Sequence, residues 1–280
     1  MSEDKIGWII TLPPLAHVET QQLMINAAIE AGISEEHLLV VTETDATVAL
    51  CRSEIGMPTI QCGARVLILD LGSGSFDVCV YEVQDDQSLK IQLNSSCPAV
   101  GWPQIQDAFE EIFIDIVGNR VFRQYCNEHP EERKNWLEYL FRKICFGSEV
   151  QRKYMIIELP MDLLNVLYNE TGKMFSELVC QSNLSDSLNC PTYDKLKISL
   201  PVLHKIFDIP IQEIKYHVNR VTEMERMGSL SNIIITGGII QSEIIQLRIK
   251  QLFHDDDTNI IIPKDVGFAV LRGAIAIGMS

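Results

Sequence analysis

Asp70 and Asp77 bracket a short stretch that holds Gly72, Ser73, Gly74 and Ser75. Carboxylates so placed can hold a hydrated Mg²⁺ beside phosphate groups. Glycines let the backbone turn tightly and bring its N–H groups close to an anion, and the two serines add hydroxyls. The chemistry that fits these residue types is the binding of a phosphate chain with its metal ion. The same residues also suit an ordinary glycine-bearing β-hairpin, because glycine and aspartate are common turn formers.

Other positions carry weaker signals. Gly237-Gly238 follows an isoleucine-rich run and precedes a helical pattern. This is either a tight strand-to-helix turn or a place where a base or phosphate approaches the backbone. Glu43 stands at a helix start, where a carboxylate caps the helix or orients a water as a general base does. Glu138, Arg142 and Lys143 form a helical cluster. Such clusters are mostly solvated pairs of small energetic weight, although an arginine can also stack on an adenine ring. The six histidines show no metal-ligand spacing. Ser73 and Ser75 lie in a GSGS run rather than a GxSxG elbow, which argues against serine nucleophilic catalysis.

Alternating strands and helices must position these groups. Trp8 to Leu12 reads as a strand, Ala16 to Ala31 as a helix, Leu38 to Val41 as a strand and Ala46 to Leu50 as a short helix. A boundary falls at Gly56 to Gly63, which carries Pro58. Val66 to Leu69 and the run from Val78 to Val83 form the two arms of the hairpin, with a third strand near Ile91 to Leu93. Ile105 to Phe122 is helical, Glu128 to Lys134 is a charged break, and Trp136 to Val150 is helical again. Met155 to Leu159 is a strand, and residues 181–195 read as a polar loop. Val202 to Met227 is a long helix whose start Pro210 resets. The chain then closes with strand Ile233 to Ile235, helix Ser242 to Phe253, strand Ile260 to Ile262 and helix Val266 to Gly278. This alternation predicts an α/β fold.

Composition narrows the function. The 280 residues suffice for one large or two modest domains, and 46% hydrophobic content excludes a disordered chain. A net charge of -15 argues against general affinity for nucleic acid or anionic membranes. A nucleotide is still compatible with that charge, since Mg²⁺ and backbone donors handle phosphates locally. The eight cysteines form no CxxC pair, and the Cys51/Cys62 and Cys180/Cys190 spacings fit no zinc pattern. Met-Ser-Glu-Asp lacks the features of a signal peptide, so reduced thiols and a cytoplasmic location are expected. No apolar run is long enough to span a bilayer. Asn94-Ser95-Ser96 and Asn169-Glu170-Thr171 match the glycosylation sequon, a match that means little without secretion.

The order of these pieces resembles the nucleotide-binding domain of the 70-kDa heat-shock protein family, in particular its divergent heat shock 70 kDa protein 12 branch, within the actin-like ATPase superfamily. Ile9-Ile10-Thr11-Leu12-Pro13 is similar to the family's "TVPA" strand, and Val41-Thr42-Glu43-Thr44-Asp45-Ala46 to its "NEPTAA" helix start. Leu69 through Val78 resembles the phosphate motif "DLGGGTFDV". Ile235-Thr236-Gly237-Gly238 resembles the adenosine motif, and Ile261 through Gly267 with Leu271-Arg272-Gly273-Ala274 resembles the branch's last strand and helix.

The resemblance implies an actin-like (ribonuclease H-like) fold binding ATP or ADP with Mg²⁺. It implies that Asp70, with Asp77 nearby, holds the hydrated metal and that Glu43 positions the attacking water. Gly72, Ser73, Gly74 and Ser75 would meet the β- and γ-phosphates. Glu138 and Arg142 would lie along the adenosine, and Gly237 and Gly238 would face the adenosine and α-phosphate. Chaperone-type work in the stress response, on protein clients and with co-chaperones, is part of the same implication. There are departures. The chain starts at the "TVPA"-like strand, so it is expected to be N-terminally truncated, lacking the first phosphate motif and the catalytic lysine. Ser73 replaces a glycine, Thr44 a proline, and Phe141 stands where a lysine usually meets the ribose. Residues 1–55 are therefore expected to be a weakly anchored remnant of the first lobe. Residues 56–280 are expected to form a complete second lobe with a smaller subdomain at about 120–200, which binds nucleotide with weak or no hydrolysis. The alternatives are an ATPase completed by other sequence and a non-enzymatic interaction scaffold.

Overall fold

The computed structural model describes residues 6–53, 60–72, 75–85, 89–98, 101–147, 153–223, 230–253 and 259–279. The first half of the chain holds β1 (Trp8–Leu12), α1 (Val18–Glu30), β2 (Leu38–Thr42), α2 (Glu43–Ser53), β3 (Arg65–Leu71), β4 (Ser75–Val83), β5 (Leu89–Pro98), α3 (Trp102–Val117), α4 (Asn119–Glu128) and α5 (Pro130–Phe146). The second half holds β6 (Tyr154–Glu158), α6 (Met161–Thr171), α7 (Phe175–Gln181), β7 (Leu188–Thr192), β8 (Lys195–Ser199), α8 (Leu200–Thr222), β9 (Asn232–Thr236), α9 (Glu243–Leu252), β10 (Asn259–Ile261) and α10 (Ala269–Gly278). The mixed α/β architecture expected from the alternation is present. The chain divides into two compact units, Met1–Ala99 with Lys215–Gln241 and Ile249–Ser280, and Val100–Ile214 with Ser242–Arg248.

The first unit is built on a five-stranded sheet of order β10-β9-β3-β4-β5. β3, β4 and β5 run antiparallel, whereas β9 joins β3 and β10 joins β9 in parallel. A central strand covered on both faces needs an unbroken apolar run. The Val-Leu-Ile-Leu of β3 supplies it, with Val66 to Leu69 at most 1% exposed. On one face Val66, Ile68, Cys79, Tyr81, Ile234 and Ile261 pack with Val48 and Cys51 of α2. β1 and β2 form a separate parallel pair.

Small residues set how closely α2 and α10 meet. A Cβ added at Gly273 of α10 would stand 1.7 Å from the carbonyl oxygen of Ala46 in α2. One added at Gly278 would stand 2.5 Å from the Ile9 side chain of β1. The expectation that residues 1–55 are weakly anchored therefore divides. Ala46, Val48, Leu50 and Cys51 of α2 are buried, while Val18 and Leu23 of α1 are 77% and 66% exposed. Asn94 on β5 donates to the carbonyl of Pro14 at 3.0 Å and accepts from the Cys79 thiol at 3.1 Å. Its amide is a structural tie, so the first sequon is not an available acceptor.

The second unit combines α3 to α7 with a three-stranded antiparallel sheet of order β6-β8-β7. Phe113 packs edge-on against Trp136 at 4.8 Å between ring centroids, and the Trp136 indole donates to the Glu158 carbonyl at 2.9 Å. Four expectations are corrected here. The helix expected across Ile105 to Phe122 breaks at Gly118, whose φ of 85° lies in the left-handed region. The charged stretch Glu128 to Lys134 holds a break, but only at His129 between α4 and α5; the rest of it is the first turns of α5, because proline suits the first helical turn. The polar loop expected at 181–195 contains β7 and leads into β8, and its polarity reflects an edge strand with one exposed side. Pro210 sits inside a continuous α8 rather than resetting its start.

The α2–α10 crossing yields a test. Gly273→Ala forces a methyl against the Ala46 carbonyl and is expected to cost about 1–3 kcal/mol. Thermal denaturation checks this. A melting temperature equal to the parent's would show that the helices separate freely.

Candidate functional site

The first unit gathers acidic groups at one end of its sheet. In the strand register Asp70 of β3 stands opposite Asp77 of β4 and beside Thr236 of β9. These three continue the face whose earlier positions, Ile68, Cys79 and Ile234, belong to the apolar core. The face thus changes from hydrocarbon to carboxylate at the C-terminal ends of the parallel strands β3 and β9. In open α/β sheets this is the end at which ligands bind.

Glu43 reaches the same place from α2. The chain leaves β2 at Thr42 and begins α2 at Glu43 without an intervening loop. Thr42 caps the helix, its hydroxyl accepting from the Asp45 amide at 3.0 Å. The Thr44 hydroxyl shares hydrogen bonds with the Thr42 hydroxyl at 3.1 Å and with the phenol of Tyr81 at 2.6 Å. Tyr81 is 1% exposed and lies on β4, the strand that carries Asp77. The Thr47 hydroxyl donates to the Glu43 carbonyl at 3.0 Å. Glu43 is therefore held on both sides and at its own carbonyl.

The electrostatics record this crowding. Asp70 is half-buried at its surface but ringed by buried strand residues. Loss of solvent, then the charges of Glu43 and Asp77, push its carboxyl up from 3.8 to about 7. The Thr236 hydroxyl faces Asp70 and works in the opposite direction, yet it has no partner within hydrogen-bonding distance among the described residues. Burial and then Asp77 raise Glu43 above the ordinary range. Burial raises the Cys79 thiol to about 12, helped by Asp77, Asp70 and Asp45, so this cysteine stays protonated and unreactive at neutral pH. Crowded carboxylates with raised proton affinity are groups whose charge a divalent cation could offset. No three His, Cys, Asp or Glu among the described residues lie in chelating geometry.

The turns lie at the same end. Gly72 follows β3 directly. Ser73 and Gly74 lie outside the described residues, and Ser75 is described only as the first residue of β4. Gly237 has φ of 106°, and a Cβ there would stand 2.2 Å from the carbonyl oxygen of Leu71. Glycine is thus required at 237 by its contact with the end of β3 alone. Gly238 is half-buried, and a Cβ built on it meets nothing within 4 Å.

Glu138 and Arg142 lie one turn apart on the exposed side of α5 in the second unit. Between them in sequence, Phe141 packs edge-on against Trp102 at 5.0 Å between ring centroids. Sequence reasoning brought out Glu43, Asp70 and Asp77, which the first unit brings together, but missed Thr42, Thr44, Tyr81 and Thr236. A threonine just before a helix is a legible cap signal. A tyrosine in a strand carries no mark of the partner its hydroxyl will meet.

A mixed sheet with acid groups and glycine turns at its strand ends is consistent with an actin-like ATPase domain of the heat-shock-70 type. The comparisons agree. Human Heat shock 70 kDa protein 12B is 19% identical over 99% of this chain and 48% of its own length. Human Heat shock 70 kDa protein 12A is 20% identical over 98% of this chain and 48% of its own length. Chaperone protein DnaK of Ureaplasma parvum is 22% identical over 98% of this chain and 42% of its own length. No family model matches. The chain spans about half the length of the curated relatives it matches. These matches support the assignment of this chain as divergent and heat-shock-70-like.

The raised carboxyl of Asp70 makes a pH prediction. Between 3.8 and about 7 the folded chain keeps a proton that the unfolded chain has lost. Stability without ligand should therefore fall as pH rises through that window and level off above it. Asp70→Asn should flatten this slope and melt a few degrees above the parent at pH 8, at about 2–4 °C per kcal/mol. Melting curves from pH 5 to pH 8 decide it; parallel slopes in parent and variant would refute the carboxylate crowding.

Proposed function

We propose that the chain is the ATP/ADP-binding domain of a divergent heat-shock-70-like protein, one that grips Mg²⁺-nucleotide phosphates with weak or no hydrolysis. What supports it best is the convergence of Asp70, Asp77 and Glu43 at the strand ends beside the turns of Gly72 and Gly237. In this reading Asp70 and Asp77 hold the water shell of Mg²⁺. Gly72, Ser73, Gly74 and Ser75 meet the terminal phosphates, and Gly237 and Gly238 face the adenosine and α-phosphate. The bound metal would neutralise charge on the phosphates. The chain's own groups orient it, and the Glu43 carboxylate holds a water and accepts its proton. In-line attack also needs donors on the far side of the γ-phosphate.

Protein clients, co-chaperones and a cytoplasmic setting belong to the same proposal. Among the described residues no helix is long and apolar enough to cross a membrane.

Calorimetry with Mg²⁺-ADP and Mg²⁺-ATP tests the reading. A dissociation constant between about 1 µM and 1 mM is expected, weakened about tenfold or more, roughly 1.4 kcal/mol, by Asp70→Ala. Absence of heat at millimolar nucleotide would refute binding. Phosphate release that Asp70→Ala abolishes would instead establish a working ATPase.

A further inference from the structure

We infer that Gln241 is a positioning residue, whose side-chain amide pins the Gly237-Gly238 turn to the turn at Gly267 and so fixes which side of Gly238 stays open. The inference deepens the proposed nucleotide site and rests on that reading for its functional meaning, since Gly238 is there assigned to the adenosine and α-phosphate.

The turn is held at two points. On one side Gly237, with φ of 106°, lies so close to the end of β3 that an added Cβ would meet the Leu71 carbonyl oxygen at 2.2 Å. On the other side Nε2 of Gln241 donates to the Gly238 carbonyl at 3.3 Å. Gly238–Gln241 is a short helical turn in which Ile239 and Ile240 are buried. The carbonyl of Gly238 is thus occupied, while a Cβ built on its Cα meets nothing within 4 Å. This glycine has a tied side and an open side, and the open side leaves room for a ligand to approach the backbone.

Gln241 needs a seat to make its bond, and Gly267 supplies it. Gly267 belongs to the short turn Val266–Phe268, which leads directly into α10. A Cβ built on Gly267 would stand 2.4 Å from Nε2 of Gln241, 2.6 Å from Cδ and 2.8 Å from Oε1. The whole amide therefore rests against the bare Cα, in space that any larger residue would take. Gly267 is not among the glycines with positive φ, so this contact rather than backbone conformation accounts for glycine there. The same stretch of chain seats α10 on α2 at Gly273. Through Gln241 the Gly238 turn is thus tied to the segment that also supports the helix carrying Glu43. Gln241 acts on the ligand only through the Gly238 carbonyl, and its loss should loosen the turn rather than remove a contact.

The test uses the full chain and a set of variants. Gln241→Met keeps the length of the side chain and removes its donor. Gly267→Ala leaves Gln241 in place but puts a methyl where its amide rests. That amide is the far end of a flexible side chain, so it can move aside at little cost to the fold. Gln241→Ala leaves room for the methyl of Gly267→Ala. The Gly238 carbonyl ¹³C signal moves upfield when a hydrogen bond to it is lost, and should do so in Gln241→Met and in Gly267→Ala. The dissociation constant for Mg²⁺-ADP, measured by calorimetry, should rise about threefold to tenfold in each, the range of one neutral hydrogen bond. Adding Gly267→Ala to Gln241→Ala should raise it no further, because the two positions act through one contact. A role in packing alone would lower the melting temperature and leave the carbonyl signal and the affinity unchanged. An unchanged carbonyl signal or an unchanged affinity in Gln241→Met overturns the inference. So does a Gly267→Ala effect that persists undiminished beside Gln241→Ala. A parent that gives no heat with Mg²⁺-ADP removes the nucleotide reading instead, and the pin then stands or falls by the carbonyl signal in Gln241→Met and Gly267→Ala.

Discussion

Three carboxylates gathered at one end of a sheet, with no lysine or arginine among the groups that shift Asp70 and Glu43, set the terms for the first unit. Asp70, Asp77 and Glu43 sit where an apolar sheet face ends; the Asp77 charge raises the proton affinity of Glu43 and Asp70, and the Glu43 charge raises that of Asp70. Such an arrangement lowers stability at neutral pH unless something positive is present. Folded proteins rarely keep it without a use, and perturbed carboxyls gather at functional sites. In the proposed reading a bound Mg²⁺ would supply the missing positive charge beside the turns of Gly72 and Gly237.

The rest of the unit can be read as the means of holding that cluster in place. The strand register brings Asp70, Asp77 and Thr236 side by side. Close backbone contacts lock the supports. Gly237 lets its turn lie on Leu71, and Gly273 lets α10 lie on α2. The Thr42–Thr44–Tyr81 chain then ties the start of α2 to β4. Each support uses a residue whose size or hydroxyl has no obvious local purpose until the contact is seen.

Much of this was legible in the sequence because it is local. The apolar run of β3, the glycine–aspartate hairpin and the isoleucine strand before Gly237-Gly238 announce themselves within a few residues. What was not legible depends on distant partners. Tyr81 meets Thr44 across a separation of 37 residues, and no periodicity predicts that. The β7–β8 hairpin was hidden because an edge strand carries polar residues on its open side. Gly118 and Pro130 were misread for the opposite reason. Their local signals are strong, but one ends a helix within an apolar run and the other starts one within a charged run. The order of motifs, rather than any single one, carried the heat-shock-70-like assignment that the relatives support.

The most direct test is paramagnetic. Mn²⁺-ADP added to the ¹⁵N-labelled chain should broaden amide signals nearest the metal. The account predicts broadening centred on Asp70, Asp77 and Thr236 and their neighbours, reversed by excess Mg²⁺-ADP. Broadening centred elsewhere in the chain, or none at saturating Mn²⁺-ADP, would contradict it.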